Sequence, residues 1–528
     1  MLGIFLRSFS LTHELFEGDE WHSLHNAFYH GYNEILKYFI VGSVSVSIPD
    51  SLFYKLCLES IGLSDTMVRL PCLIAGILIV LVIPLLIRPI LGKSIANGCA
   101  FFLALSPILT FYSRFARPYS MAVLLGYCAV HVFYRWWISD EVHRFDRFLY
   151  GYGIMSAIAT WYLPIMAPFV YGPFVYVALL IIFSRDRKQL IIKNMARIGL
   201  PAFLLFLIID WYPFFHSYKA LKSLASHDNA VIGLASLSGA FKILMINNNE
   251  YFLIAFLILQ IIGLLKVLRS CNNYMIFMLI VSVIQIMYII ISKPLAGNVP
   301  HIFSRYILII LPTIYMLIMV GAKSIAASIH KHASSYTIYG VVAILIGLLF
   351  IETPYVRIMG SLPNNSINMS LLSYMILGKN FEVKRLNFMK RIPGFYDVLG
   401  GYSPGSMTIV ETPYHYNGTY LPFYQSIHHQ NILIGFINGL CSGNREGEIP
   451  YWLKNIYFRN YLFLKDIETL DQKYIDYVIF HKNPEKEVLW KPEFSSIDIT
   501  CCIDYYQGYF GNPIYADNEL LVFSIKKN

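Results

Sequence analysis

The sequence predicts a polytopic α-helical membrane protein of about eleven transmembrane helices, followed by a soluble C-terminal domain of α/β or α+β class. Two observations carry that prediction. Of 528 residues, 56% are apolar and only 14% are charged, which lies outside the range of soluble chains. Apolar runs of spanning length recur as far as residue 351 and then stop, and the tail beyond them is turn-rich and mixed in character. The 39 Tyr and 37 Phe suit long interfacial surfaces, where amphipathic rings settle at headgroup depth. The formal charge of +9 comes without a basic tract that would track a nucleic acid, so membrane lipids and lipid-linked molecules are the expected partners, and nucleic acid is not.

Residues 1–11 read as the tail of a transmembrane helix, since a span takes about 20 apolar residues and only the first six run uninterrupted. A start misplaced within the first span would account for this. A signal peptide fits less well, because neither a basic leader nor a small-residue cleavage site is present. Residues 24–40 and 51–61 alternate apolar and polar side chains at roughly helical spacing and are expected to lie on the membrane face. Spans are expected at 70–90, 95–112, 119–137, 149–168, 170–183, 198–215, 251–268, 275–291, 306–321 and 336–351. The short 170–183 segment suggests a broken or re-entrant pair with the one before it.

Loop charge sets the orientation, because Lys and Arg collect on the cytoplasmic side of short loops. One set of loops carries Arg88, Lys93, Arg135, Arg144, Arg147, Arg185, Arg187, Lys188, Lys193, Arg197, Lys266, Arg269, Lys323 and Lys331. The alternate set, which begins with the loop of Asp19 and Glu20, is sparser in basic residues and is expected to face out. The tail falls on the same outer side, with a domain boundary near Thr353: a transmembrane domain over 1–353, with a first outer loop at 12–69, and a soluble domain over 354–528. In the tail, 407–411 and 477–481 read as buried strands and 369–377 as a helix. Asn364, Asn368 and Asn417 begin glycosylation-type triplets. Among the eight cysteines no C-x-x-C spacing occurs, and Cys441 is a candidate to pair with Cys501 or Cys502 in an oxidising compartment.

Three outer loops hold side chains with chemical potential. The first carries Glu17-Gly18-Asp19-Glu20-Trp21-His22, where adjacent carboxylates at a bilayer edge suit proton transfer, ion pairing or metal binding. Taken alone, the pair also fits a solvated loop. The second carries Arg114 and Arg117, an i, i+3 pair framed by Tyr112 and Tyr119, which suits bidentate capture of a phosphate; snorkelling at a helix end is the alternative. His301 and Arg305 form a similar cationic pair before the span at 306–321.

The order of these elements resembles a known family. An early Asp-Glu is followed by Leu63-Ser64-Asp65 and Arg69-Leu70-Pro71, then by Ala104-Leu105-Ser106-Pro107 running into Tyr112-Ser113-Arg114-Phe115-Ala116-Arg117-Pro118-Tyr119, and finally by Arg305-Tyr306 and Pro312. Over about residues 1–325 the chain is similar to the polyprenyl-phosphate-sugar-dependent glycosyltransferases of the GT-C fold, the protein O-mannosyltransferase and lipid A aminoarabinose transferase group, and especially to bacterial relatives that act on lipopolysaccharide. It departs from them in lacking a complete first helix and in carrying Ser47-Ile48-Pro49-Asp50 where a His-Pro-Pro segment is usual.

The resemblance implies an inverting transfer, at the outer face of the bacterial cytoplasmic membrane, from a polyprenyl-phosphate sugar to a lipid, glycan or protein hydroxyl. Asp19 would then be the general base and Glu20 would orient the acceptor or a cationic partner. Arg117, helped by Arg114 and Arg305, would stabilise the departing phosphate, with Tyr119, His301, Lys37 and Lys55 as further donor contacts. His22 and His25 stand at a spacing that suits a metal shared with Asp19, yet the leaving group is already activated, so neither a metal nor another cofactor is expected. A transporter or flippase for a lipid-linked saccharide would share the spans and the outer basic loops. It would also be expected to show internal repeats and several charges within its helices, and here only Asp210 stands out.

Overall fold

The computed structural model describes residues 1–11, 18–41, 44–61, 65–137, 145–183, 188–227, 232–245, 250–294, 297–330, 353–359, 367–377, 380, 383, 393–403, 405–412, 428–434, 475–482 and 499–525. The chain forms two compact units: Met1–Glu14, Ser23–Ile40 and Ser45–Arg385 make the first, and Leu15–His22, Val41–Val44 and Leu386–Asn528 the second.

The first unit is helical. Five of its helices are long and apolar enough to cross a membrane, at Thr66–Leu91, Pro164–Ile182, Glu250–Ser270, Asn273–Ser292 and Leu308–Ile329. Two further spans are bent pairs, Lys93–Leu105 with Pro107–Arg114 at 60° and Gly199–Ile209 with Trp211–Lys219 at 58°. The chain is thus an integral membrane protein with up to seven spans by length and composition among the described residues. The span expected at 336–351 lies outside them. The run expected as one span over 95–112 is instead broken, because Ser106 takes an extended conformation and its Oγ accepts from the Leu109 amide at 3.4 Å, while Pro107 starts a new helix. Between the segments expected at 149–168 and 170–183 the break comes earlier, at the extended Leu163: the helix Phe145–Tyr162 ends there, and Pro164 opens a 3-10 turn that runs into the helix Ala167–Phe183, so that Pro164–Ile182 is long enough to cross by itself.

The helix Tyr119–Trp137 occupies its expected place, but Tyr, Trp, His131 and Arg135 dilute its apolar character. It can carry them because it faces protein rather than lipid: Ala122, Val123, Tyr127 and Val130 are wholly buried. Phe133 packs against Trp136, Tyr152, Phe174 and Phe277, with ring centroids 5.2–6.2 Å apart. Such aromatic pairs add to the area that burial alone removes from solvent.

Helices Glu250–Ser270 and Leu311–His330 meet backbone to backbone. A Cβ on Gly263 would overlap the carbonyl of Leu317, and one on Gly321 the carbonyl of Leu259, so only glycine permits this approach. Gly321→Leu is therefore expected to lower stability by at least about 1–3 kcal/mol, the usual cost of overpacking. A fall in the melting temperature of the detergent-solubilised protein would show it. The control is Gly31→Leu, since a Cβ at Gly31 meets nothing within 4 Å.

The division between the units falls at Arg385, later than the boundary expected at Thr353. Helices Pro354–Met359 and Ile367–Leu377 stay with the helical unit because their polar side chains are bonded into it. The Tyr355 hydroxyl donates to Thr110 Oγ1 at 2.7 Å, and the Asn368 amide exchanges bonds with Arg114.

In the second unit, strands β1 Thr408–Thr412, β2 Asn431–Ile434, β3 Tyr477–His481, β4 Tyr515–Ala516 and β5 Leu520–Ser524 form one mixed sheet. Strands β2, β1 and β3 are parallel, whereas β5 is antiparallel to both β3 and β4. The period of two sends Val410, Val478 and Phe480 to the face covered by the helix Ile499–Phe510, and Ile409 and Ile479 to the face covered by Gly394–Gly400. Both faces are buried, which is why these strands read as apolar runs rather than as alternating ones.

Candidate functional site

The cationic site is built where the broken span ends. After Pro107–Arg114 the chain turns through Phe115–Pro118 and enters the helix at Tyr119, and this turn is buried. The turn is held by backbone contacts: the Arg117 amide donates to the Phe115 carbonyl at 2.6 Å, and the Cys72 thiol donates to the Arg117 carbonyl at 3.0 Å. Arg117 is only 4% exposed. Its guanidinium carbon lies 6.0 Å from the Tyr119 ring centre, and that of Arg305 lies 5.9 Å from the same ring. Arg305 also sits 5.2 Å from the Tyr306 ring, and its Nη2 is 3.4 Å from the Tyr306 hydroxyl. Tyr112 packs against Tyr119 at 4.6 Å. Two arginines far apart in sequence thus converge on one tyrosine, where low dielectric strengthens their field and planar guanidinium forks suit phosphate oxygens.

Arg114 and Arg117, equivalent in the sequence motif, have separate surroundings. Arg114 is wholly buried, and its guanidinium donates to the carbonyls of Arg7 and Phe9 at 3.0 and 2.7 Å and to Asn368 Oδ1 at 2.9 Å. Arg7 is wholly buried beside it, donating to Ser113 Oγ at 3.1 Å and to the carbonyls of Leu103, Ala104 and Gly3 at 2.9–3.1 Å. Together these arginines tie the first helix, Leu2–Ser8, and the helix Ile367–Leu377 to the element that carries Arg117. Asn368, the first residue of one glycosylation-type triplet, is 1% exposed and committed to this network; Asn364 and Asn417 lie outside the described residues.

A buried acid stands in the field of Arg117. Ser47 caps the helix Ile48–Ser60 through its Oγ, which accepts from the Asp50 amide at 3.3 Å. The Asp50 carboxyl is 1% exposed, and among the described residues neither oxygen has a hydrogen-bond partner. Burial pushes its pKa up to about 7, against the opposing pull of Ser47 and of the Arg117 charge. Around it, Ser23 Oγ accepts from the Ser47 amide at 3.2 Å, and the Asn26 amide donates to Ser51 Oγ at 3.2 Å.

The other predicted residues are distributed as follows. Asp19 and Glu20 occupy a 3-10 turn, Gly18–Glu20, in the second unit. Glu20 is wholly buried, while the Asp19 side chain is 41% exposed and lies 3.9 Å from His22 Nε2. Lys55 pairs with Glu59 at 3.3 Å one helical turn away, whereas Lys37 lies in the turn after the short helix Tyr32–Ile35, 5.3 Å from the Tyr38 ring centre. His301 is half-buried one turn before Arg305. Among the described residues no group of three or more His, Cys, Asp or Glu is arranged to hold a metal, and the His25 side chain lies outside them. Asp210 sits at the bend of its broken span, where the Thr160 hydroxyl donates to it at 2.7 Å.

No protein-family model matches this chain, and no curated protein sequence matches it. Solved structures do. ArnT from Cupriavidus metallidurans bound to undecaprenyl phosphate superposes with a TM-score of 0.55 at 13% identity, over 99% of this chain and 96% of that one. The apo form of the same enzyme gives 0.51 at 13% identity, over 98% and 95%. ArnT is a lipid A aminoarabinose transferase of the GT-C fold. A likeness at this identity is one of fold, and by it the chain has the GT-C fold of the polytopic membrane glycosyltransferases.

Proposed function

We propose that this protein is an inverting glycosyltransferase that moves a sugar from a polyprenyl-phosphate carrier to a lipid, glycan or protein hydroxyl at the outer face of a bacterial cytoplasmic membrane. The observation that carries the reading is the convergence of Arg117 and Arg305 on Tyr119, within a fold shared with an enzyme that binds undecaprenyl phosphate. In the transfer, the acceptor hydroxyl oxygen bonds to the anomeric carbon while the bond from that carbon to the phosphate oxygen breaks. The acceptor proton passes to Asp19, and the polyprenyl phosphate departs with the bonding pair. Charge grows on the phosphate as the bond breaks, so cations fixed in a buried site stabilise the transition state more than the ground state. Arg117 and Arg305 take that role, and Arg114 acts from behind by fixing the turn that presents Arg117. Glu20, wholly buried, orients a cationic partner rather than the acceptor itself. Lys37, Lys55 and His301 are further candidates to meet the donor phosphate, the two lysines with lipid headgroups as their alternative, and no metal is needed because the phosphate is already a competent leaving group.

The test is direct. Purified protein is incubated with a panel of undecaprenyl-phosphate sugars and a lipid or peptide acceptor, and release of undecaprenyl phosphate is followed by mass spectrometry. Release that depends on both substrates and disappears in Arg117→Ala supports the reading. Movement of intact lipid-linked sugar across proteoliposomes without cleavage would replace it with a transporter.

A further inference from the structure

Among the described residues, the Asp50 carboxyl is the acid beside this site whose retention the fold does not explain. It is 1% exposed, and apart from the pull of the nearby Ser47 hydroxyl neither oxygen has a hydrogen-bond partner among the described residues. It is also not the cap of its helix, since Ser47 performs that task. A buried polar group without a partner costs free energy that a leucine would avoid, so such groups mark sites where a ligand completes the bonding.

The chemistry of that ligand follows from the neighbours. Arg117 is the cation whose charge acts on Asp50, and on the reading above Arg117 holds the carrier's phosphate. In its ionised form, which the Arg117 charge favours, the carboxylate cannot receive that phosphate, because two anions would repel. What it can receive is a donor group on the sugar that the same phosphate carries. A carboxylate offers two coplanar acceptor oxygens, which match the spacing of hydroxyl or amino groups on adjacent carbons of a sugar ring.

We infer that Asp50 is the sugar-recognition residue of the donor site, its two oxygens accepting hydrogen bonds from neighbouring hydroxyl or amino groups of the glycosyl unit whose phosphate Arg117 holds. This rests on the proposed glycosyl transfer from a polyprenyl phosphate.

Binding of bare undecaprenyl phosphate and of undecaprenyl-phosphate-linked glucose, mannose, galactose and 4-amino-arabinose to the full-length protein separates the two readings. Wild type is expected to bind at least one loaded carrier more tightly than the bare one. Asp50→Asn and Asp50→Ala should weaken that loaded carrier about tenfold to a hundredfold, the range for hydrogen bonds to a charged group. Binding of the bare carrier should stay within about twofold, which also shows that the variants fold. Equal weakening of both ligands would make Asp50 a support for Arg117 and overturn the inference, and so would no weakening of either. Unchanged binding with abolished turnover overturns it too, making Asp50 a base. Wild type that binds every loaded carrier no better than the bare one removes sugar recognition altogether. Wild type that binds no carrier at all removes the donor reading, and the inference falls with it.

Discussion

Asp19→Asn is expected to lower turnover by about 10²–10⁴-fold, the usual contribution of a general base, while leaving donor binding intact. The substitution keeps shape and removes the proton acceptor. Of the two adjacent acids, Asp19 is the one with solvent access, its side chain being 41% exposed beside His22, whereas Glu20 is wholly buried. An acid that must meet an incoming hydroxyl needs that access. Glu20→Gln is therefore expected to act on the shape of the turn rather than on proton transfer. Arg117→Ala should show the complementary pattern, weakening donor binding and leaving-group stabilisation together, at roughly 1.5–3 kcal/mol for each charge-assisted hydrogen bond to the phosphate that the variant can no longer make. Single-turnover rates and donor titrations on both variants separate the roles. Near-normal turnover in Asp19→Asn with inactivity in a Glu20 or His22 variant would move the base along the same turn. Retention in all three would favour the transporter.

The elements legible in the sequence were those whose signal is local. The strands expected at 407–411 and 477–481 lie within a residue of Thr408–Thr412 and Tyr477–His481, because both carry short apolar runs with polar flanks, and a strand buried on both faces has no other signature. The helix expected at 369–377 is Ile367–Leu377. Breaks in the spans were harder to see. Ser106-Pro107 is a capping pair in plain view, but apolar residues on either side gave the segment the length of one span. Asp210 stood out as a lone charge within a span, and the structure puts it at a bend.

Side-chain roles were the least legible, since they depend on partners distant in sequence. Arg114 and Arg117 look interchangeable at i, i+3, yet one ends a helix and bonds the carbonyls of Arg7 and Phe9, while the other follows the turn and meets Tyr119. Arg7 belonged to a segment read as the tail of a span, where a single arginine carries no pattern, and its guanidinium donors are nevertheless part of what anchors that helix. Asp50 registered only as a departure from a motif. Its meaning lies in burial and in the absence of a partner, neither of which a sequence displays.

The same blindness covered a polar island in the second unit, and it sets the other large effect expected. Parallel pairing puts Glu411 of β1 opposite Ile479 of β3, so His481, two residues further along β3, points to the same face. That face is otherwise apolar, covered by Phe395, Leu399, Ile409, Leu520 and Val522. There His481 Nε2 lies 2.6 Å from Glu411 Oε2, and the Tyr396 hydroxyl lies 3.0 and 3.1 Å from the two carboxylate oxygens. The His428 ring stacks on Tyr396 with centroids 5.5 Å apart. Glu411 is wholly buried, so its charge is tolerable only while these partners remain. His481→Ala strands that carboxylate and is expected to destabilise the protein by about 3–5 kcal/mol, whereas Tyr396→Phe removes one donor at a cost of about 1–3 kcal/mol. Replacing both members, as in Glu411→Met with His481→Leu, should recover most of the deficit, because well-packed apolar side chains of similar volume can equal a buried ion pair. Denaturant unfolding of the full chain measures the three. A destabilisation below about 1 kcal/mol for His481→Ala would mean that water or a neighbouring donor reaches Glu411 when the imidazole is gone, and that the pair is not what holds β1 and β3 to their covering helix.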